Sequence, residues 1–176
     1  MIALSETCLP WDLVRLPGGE EQPHRDLKDF TPFAIAPILK FSDGTTLREP
    51  PAIMEFLADL CPERHLVPRA GTIKRNRHSE WMHFISGEIY GCERRTETAD
   101  LREPPLLTRL AWIDLHLASH SFLIGEEFSI ADIYLWAFWS VASTAVADEL
   151  GMLNIDRWAS RVESRPRVAT ALMVEG

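Results

Sequence analysis

The chain has 176 residues, 46% of them hydrophobic, which is enough apolar material for one good-sized domain or two small ones and excludes a disordered protein. Its formal net charge of −8 is spread without an acidic tail, and basic groups such as Lys74-Arg75-Asn76-Arg77 are surrounded by acids. That balance argues against nucleic acid or an anionic membrane surface as a main partner.

The first residues, MIALSETCLP, lack a basic region and a small-residue cleavage site, so they do not read as a signal peptide. Leu9 to Leu16 suggests a turn followed by a strand of alternating character, closed by Leu16-Pro17-Gly18-Gly19, and a polar stretch runs on to Lys28. Ile38 to Phe41, Ser42-Asp43-Gly44-Thr45 and Thr46-Leu47 predict a hairpin around an Asp-Gly turn. Pro50 and Pro51 then stand at the start of a helix in which Ile53, Phe56, Leu57 and Leu60 fall at helical spacing, and Pro62 ends it.

From Gly71 onward every pattern is helical. A long helix is expected from about Thr72 to Arg95, with Trp81, Phe84, Ile85 and Ile89 on one side. A second covers about Pro105 to His120 and carries Leu106, Leu110, Ile113 and Leu117 at core spacing. A third, Ile130 to about Leu150, is apolar on nearly every face, as a helix in the middle of a bundle should be. Its uncharged run, Ile133 to Ala147, is too short to span a bilayer. Two shorter helices follow, around Ile155 to Ser164 and Pro166 to Val174. The layout is a small mixed domain over residues 1–68, a link, and an all-helical domain over 71–176, in a soluble and cytoplasmic protein.

Few residues stand out chemically. Phe128-Ser129-Ile130-Ala131-Asp132-Ile133 reads as an N-cap, with Asp132 reaching back to the Ser129 amide and Phe128 and Ile133 as the flanking staple, so Asp132 is assigned a structural role. His116 and His120 have the i, i+4 spacing of a metal-ligand pair, but no HExxH pattern or third ligand accompanies them. Cys8, Cys61 and Cys92 are in no CxxC pattern and read as reduced thiols, so neither a disulfide frame nor a metal site is expected. Trp112, Trp136 and Trp139 are assigned to the helical core.

Three segments, "DGTTLREPPAIMEFLADLCPERHLVP", "FLIGEEFSIADIYL" and "RWASRVESRPRVATAL", resemble in order and spacing the bacterial glutathione S-transferases. The first is similar to the family's fourth strand, third helix and linker, the second to the start of its central helix, and the third to its C-terminal end. The resemblance implies an α/β thioredoxin-like N-terminal domain, an all-α C-terminal helical bundle, a homodimer, and glutathione as substrate. It also places Trp81, Phe84 and Tyr90 on the helix that lines the pocket for a small hydrophobic ligand.

Set against that family, "IALSETCLPWDLVRL" is similar to the second half of the first helix and the second strand, so Met1 falls inside that helix. The family's first strand and the residue that polarises the glutathione thiol then have no counterpart in these 176 residues, unless the true start lies upstream, and the catalytic residue is unknown. Ser5 and Cys8 lie in the body or end of the first helix, away from the position that faces the thiol. Without a first strand, Trp11 to Leu16 is expected to pair directly with Ile38 to Phe41 in a three-stranded sheet; strand donation from a partner chain and a disordered N-terminal segment are the alternatives.

The resemblance assigns glutathione binding to Ala36, Pro37, Glu49 and Pro50. Ala36-Pro37 is similar to the Val-Pro pair whose proline is cis and whose backbone pairs with the cysteinyl part of glutathione, but Ile35 replaces the usual polar or basic neighbour. Glu49 matches the acid of the family's acid-serine pair, and Pro50 stands at its serine. That serine's hydroxyl and amide bind the γ-glutamyl carboxylate at the positive end of a helix. Pro50 supplies neither donor and Pro51 removes another amide; at roughly 1.5–3 kcal/mol per charge-assisted bond, the loss reaches several decades in affinity. The expected protein is therefore a glutathione S-transferase-like chain with a degenerate site and weakened or lost conjugation, serving as a binding or interaction module. The alternative is an active glutathione transferase acting on hydrophobic electrophiles.

Overall fold

The structure, a computed structural model, describes residues 1–14, 36–95, 104–142 and 151–175. The chain opens in a short helix, α1 (Ile2–Thr7), which Cys8 closes in the left-handed conformation with φ 57°. Trp11 to Val14 carry no strand structure, and Leu13 and Val14 are exposed. The sheet among the described residues has two strands only, β1 (Leu39–Lys40) and β2 (Thr46–Leu47), paired antiparallel. The expected three-stranded sheet is thus corrected over residues 11–14, where Leu13 and Val14 face solvent instead of a strand neighbour; Arg15 and Leu16 lie outside the described residues.

The hairpin forms for the reason its sequence suggests. Gly44 takes φ +88° and donates its amide to Phe41 O at 3.0 Å, while Asp43 Oδ1 accepts the Thr45 amide at 2.8 Å. Helix α2 (Pro50–Leu60) follows with both prolines in its first turn, where fixed φ suits a helix and no intrahelical amide bond is lost. Its buried face is Ile53, Met54, Leu57 and Ala58. Phe56 and Leu60 are exposed at 37% and 52%, so the apolar stripe sits rotated from the expected one, and Phe56 turns to an edge contact with Phe41, centroids 5.2 Å apart.

A 3₁₀ turn, Pro62–Arg64, and a left-handed His65 (φ 52°) lead into the link. There the Leu66 carbonyl accepts the Ile130 amide at 2.9 Å, and Arg75 forks onto Asp59 with two 2.8 Å bonds while also donating to Pro68 O. Helix α3 (Ile73–Phe84), capped by Thr72 Oγ1, continues through a π turn at Ile85–Ile89 into α4 (Tyr90–Arg95). The single long helix expected here is thus helical over its whole expected span, and the extra residue in the π turn shifts which side faces inward before and after it.

Helix α5 (Pro104–Leu117) buries Leu106, Leu110, Ile113 and Leu117, the four residues its periodicity selects. Helix α6 (Ile130–Ala142) is buried continuously from Ile130 to Trp136 and again at Phe138 and Trp139; the rest of the span expected for it, 143–150, lies outside the described residues. Helices α7 (Leu153–Glu163) and α8 (Pro166–Glu175) finish the bundle. Trp136 and Trp139 are core as expected, whereas Trp112 is half exposed, its ring stacked on Trp81 at 5.1 Å. Among the described residues no helix is long and apolar enough to cross a membrane.

Helix α1 is pinned to the helical part of the molecule. Glu6, 3% exposed, accepts two bonds from Arg165, and Ser5 Oγ donates to Arg167 O at 2.9 Å. These ties hold the α/β segment against the end of the bundle.

Candidate functional site

The hairpin register decides which of the candidate residues lie together. Leu39 pairs with Leu47 and Lys40 with Thr46; continuing that antiparallel register outward sets Pro37 across from Glu49. Ala36, Pro37, Glu49 and Pro50 therefore lie at one end of the hairpin. The Ala36-Pro37 bond is cis. Ile35 lies outside the described residues.

Glu49 precedes the helix with φ 65° and ψ 116° and makes no side-chain cap. Its ψ is near the range a following proline imposes, but the positive φ is uncommon for a residue with a Cβ and marks a strained position. Its carbonyl accepts the Ile53 amide at 3.0 Å, closing the first helical turn. Pro50 and Pro51 contribute no amide hydrogens, so Ala52 is the first residue of α2 with a donor to offer. The helix dipole still places partial positive charge here. What is reduced is the number of hydrogen bonds an anion could make with it.

The three aromatic residues assigned to a hydrophobic pocket divide between two clusters. Trp81 and Phe84 meet edge to face at 5.9 Å and both touch Trp112 of α5, at 5.1 and 5.0 Å. Tyr90, beyond the π turn, stacks on Tyr134 at 5.0 Å and meets Phe138 at 5.4 Å on α6. Trp81 is buried and Phe84 and Tyr90 are half-buried. Periodicity carried straight through residues 85–89 could not anticipate this division, because no residue in ISGEI announces a π turn.

Asp132 performs the structural task its motif implies and more. Its Oδ2 accepts the Ser129 amide at 2.9 Å and the Ser129 hydroxyl at 3.0 Å; its Oδ1 accepts the Leu123 amide and Trp158 Nε1, both at 2.9 Å. Burial pushes its carboxyl pKa upward, and the four donors oppose that rise. The Leu123 and Trp158 partners were not legible locally. Nor was Asp114, whose carboxylate caps α7 by accepting the Asn154 and Ile155 amides at 2.9 and 3.0 Å.

The rings of His116 and His120 stack face to face, centroids 4.3 Å and planes 7° apart, so their nitrogens do not converge on a point. His116 Nε2 lies 3.1 Å from Leu123 O and His120 Nδ1 lies 2.9 Å from His116 O. Burial lowers the His116 pKa. Ser5 and Cys8 both face α8: Cys8 Sγ, at the end of α1, accepts from Arg167 Nε at 3.1 Å.

A cis-proline turn beside a helix terminus, on a small α/β unit joined to an all-helical bundle, defines a thioredoxin-like domain with a helical C-terminal domain. Comparison with known proteins makes the assignment specific. The glutathione S-transferase C-terminal domain family matches residues 69–166, more than half of the chain. Glutathione S-transferase GstA of Escherichia coli O157:H7 is 31% identical over 152 residues, spanning 82% of this chain and 76% of that protein. The crystal structure of a glutathione transferase from Methylococcus capsulatus str. Bath superposes with a TM-score of 0.89 at 30% identity, over 99% of this chain and 91% of that one. A sphingomonad glutathione S-transferase complexed with glutathione superposes at 0.86 with 27% identity, over 99% and 92%. The chain belongs to the glutathione S-transferase superfamily.

Proposed function

We propose that this chain is a glutathione S-transferase-like protein in which ordinary glutathione conjugation is weakened or lost, and that it serves as a binding or interaction module. The observation that carries this reading is the start of α2, where Pro50 and Pro51 occupy the first two positions and Glu49 makes no side-chain cap. A carboxylate placed there meets the helix dipole but lacks the amide and hydroxyl donors that would fix it. The boundary between a domain over 1–68 and one over 71–176, a homodimer, and a hydrophobic ligand near Trp81, Phe84 and Tyr90 belong to the same proposal. Light scattering at micromolar concentration should give twice the 20.0 kDa chain mass; a monomer mass would remove the dimer from it.

The second reading, an active transferase, is favoured by the place of Ala36 at the same hairpin end as Glu49, where its backbone amide and carbonyl could still pair with the peptide part of glutathione. Calorimetric titration separates the two. Weak binding, above about 1 mM, is expected for the chain as it stands. The double variant Pro50→Ser, Pro51→Ala restores a hydroxyl and two amides and should tighten glutathione binding by at least about tenfold. Sub-millimolar affinity in the unaltered chain would refute the leading reading and support the second.

A further inference from the structure

A cleft of about 390 Å³ lies where the link and the helical bundle meet, lined by Arg64, His65, Glu127, Phe128 and Arg165. It is remote from the hairpin end described above. Pro50 begins α2 and Arg64 follows its far end, and an 11-residue helix is about 16 Å long.

The charges around this cleft are unequally matched. Glu127 is taken up by Lys74, whose ammonium lies 2.7 Å from its carboxylate. Arg165 is oriented by Glu6 through bonds of 2.8 and 3.2 Å, and its guanidinium carbon sits 3.8 Å over the Phe128 ring, so its plane is fixed. Arg64 differs. Among the described residues its Nε is buried and has no hydrogen-bond partner, and its ion pair with Glu63 is 4.0 Å long, beyond hydrogen-bond distance, with that carboxylate largely exposed. A buried guanidinium N–H without an acceptor is costly and rare, and the acceptor that suits it best is an oxyanion. His65 stands next to it, held by its own left-handed backbone. In a chain of net charge −8, a cleft with two arginines and a histidine around one neutralised acid is locally distinct.

We propose that this cleft is a binding site for a small ligand with a phosphate or carboxylate head, received by the partly exposed guanidinium of Arg64 and by His65 and bounded by the Arg165–Phe128 stack. Phosphorylated and carboxylated metabolites share this oxyanion chemistry, and the cleft has room for the head and a small body. The site does not depend on whether glutathione binds at the start of α2.

The test is calorimetric titration of the whole chain at low ionic strength with inorganic phosphate and, separately, with benzoate. Saturable one-site binding in the millimolar range is expected for at least one of them; phosphate alone would identify a phosphoryl ligand, and benzoate alone a carboxylate. Arg64→Gln should weaken that binding about tenfold or more, and His65→Asn, which tolerates the left-handed backbone, should weaken it several-fold. The Pro50→Ser, Pro51→Ala variant should bind the same probe unchanged, which separates this site from the glutathione reading. Failure of both probes to saturate by about 50 mM, or a His65→Asn or folded Arg64→Gln variant that binds like the unaltered chain, would overturn the proposal.

Discussion

Asp132 and His78 are fully buried ionisable residues with opposite solutions. Asp132 accepts four hydrogen bonds from three separate parts of the chain, so its removal strands buried donors instead of freeing them. Asp132→Ala should cost about 3–5 kcal/mol, measured as a fall in the urea midpoint at unchanged slope. Among the described residues His78 has no hydrogen-bond partner at either ring nitrogen, and the nearest acid, Glu55, is 3.9 Å away. Burial, aided by the charge of Arg75 and opposed by Asp59, pulls its pKa from 6.5 to about 4. The unfolded chain therefore binds a proton there that the folded chain refuses. The His78 contribution is fully present above pH 6.5 and is lost as pH falls toward 4, an effect of about 3 kcal/mol. Urea denaturation at pH 7 and pH 4.5 should show that His78→Phe loses less stability on acidification than the unaltered chain; equal losses would mean that His78 is not excluded from protonation.

At the level of elements, the start of α2 shows local stability and ligand chemistry pulling apart. Two first-turn prolines suit the helix because the amides they remove had no intrahelical partner. The same amides are the ones a helix terminus offers to an anion. Glu49 adds strain, with φ 65°. Glycine takes that conformation without steric cost, so Glu49→Gly should raise the thermal midpoint, corresponding to about 1 kcal/mol after the entropy of the added glycine is deducted. A lowered midpoint would show that the Glu49 side chain contributes more than its exposed position suggests. The π turn at Ile85–Ile89 acts on the neighbouring element in a similar way, turning Trp81 and Phe84 toward α5 and Tyr90 toward α6.

For the whole molecule, the decisive contacts join residues far apart in sequence. Glu6 meets Arg165, Ser5 meets Arg167 and Leu66 meets Ile130, so the first helix and the link are both fastened to the bundle. The anion cleft exists because of the same closure: the turn after α2, the loop before α6 and the α7–α8 junction each contribute one or two side chains. None of those segments contains a recognisable ligand motif by itself.

Features that depend on neighbours within a few residues are readable in the chain before it folds. Helical periodicity selected Leu106, Leu110, Ile113 and Leu117 for the core, the Asp-Gly turn placed the hairpin, and Ser129 with Asp132 marked the start of α6. Tertiary structure alone decided that Met54 and not Phe56 faces inward, that Trp112 covers Trp81 from a half-exposed position, that residues 11–14 take no place in the sheet, and that Arg64 is left with a buried, unpaired N–H beside Arg165. The physical reason is common to all four. A turn, a cap or an amphipathic stripe is a short-range preference written in adjacent residues, whereas burial and hydrogen-bond satisfaction depend on which distant surfaces closure brings together.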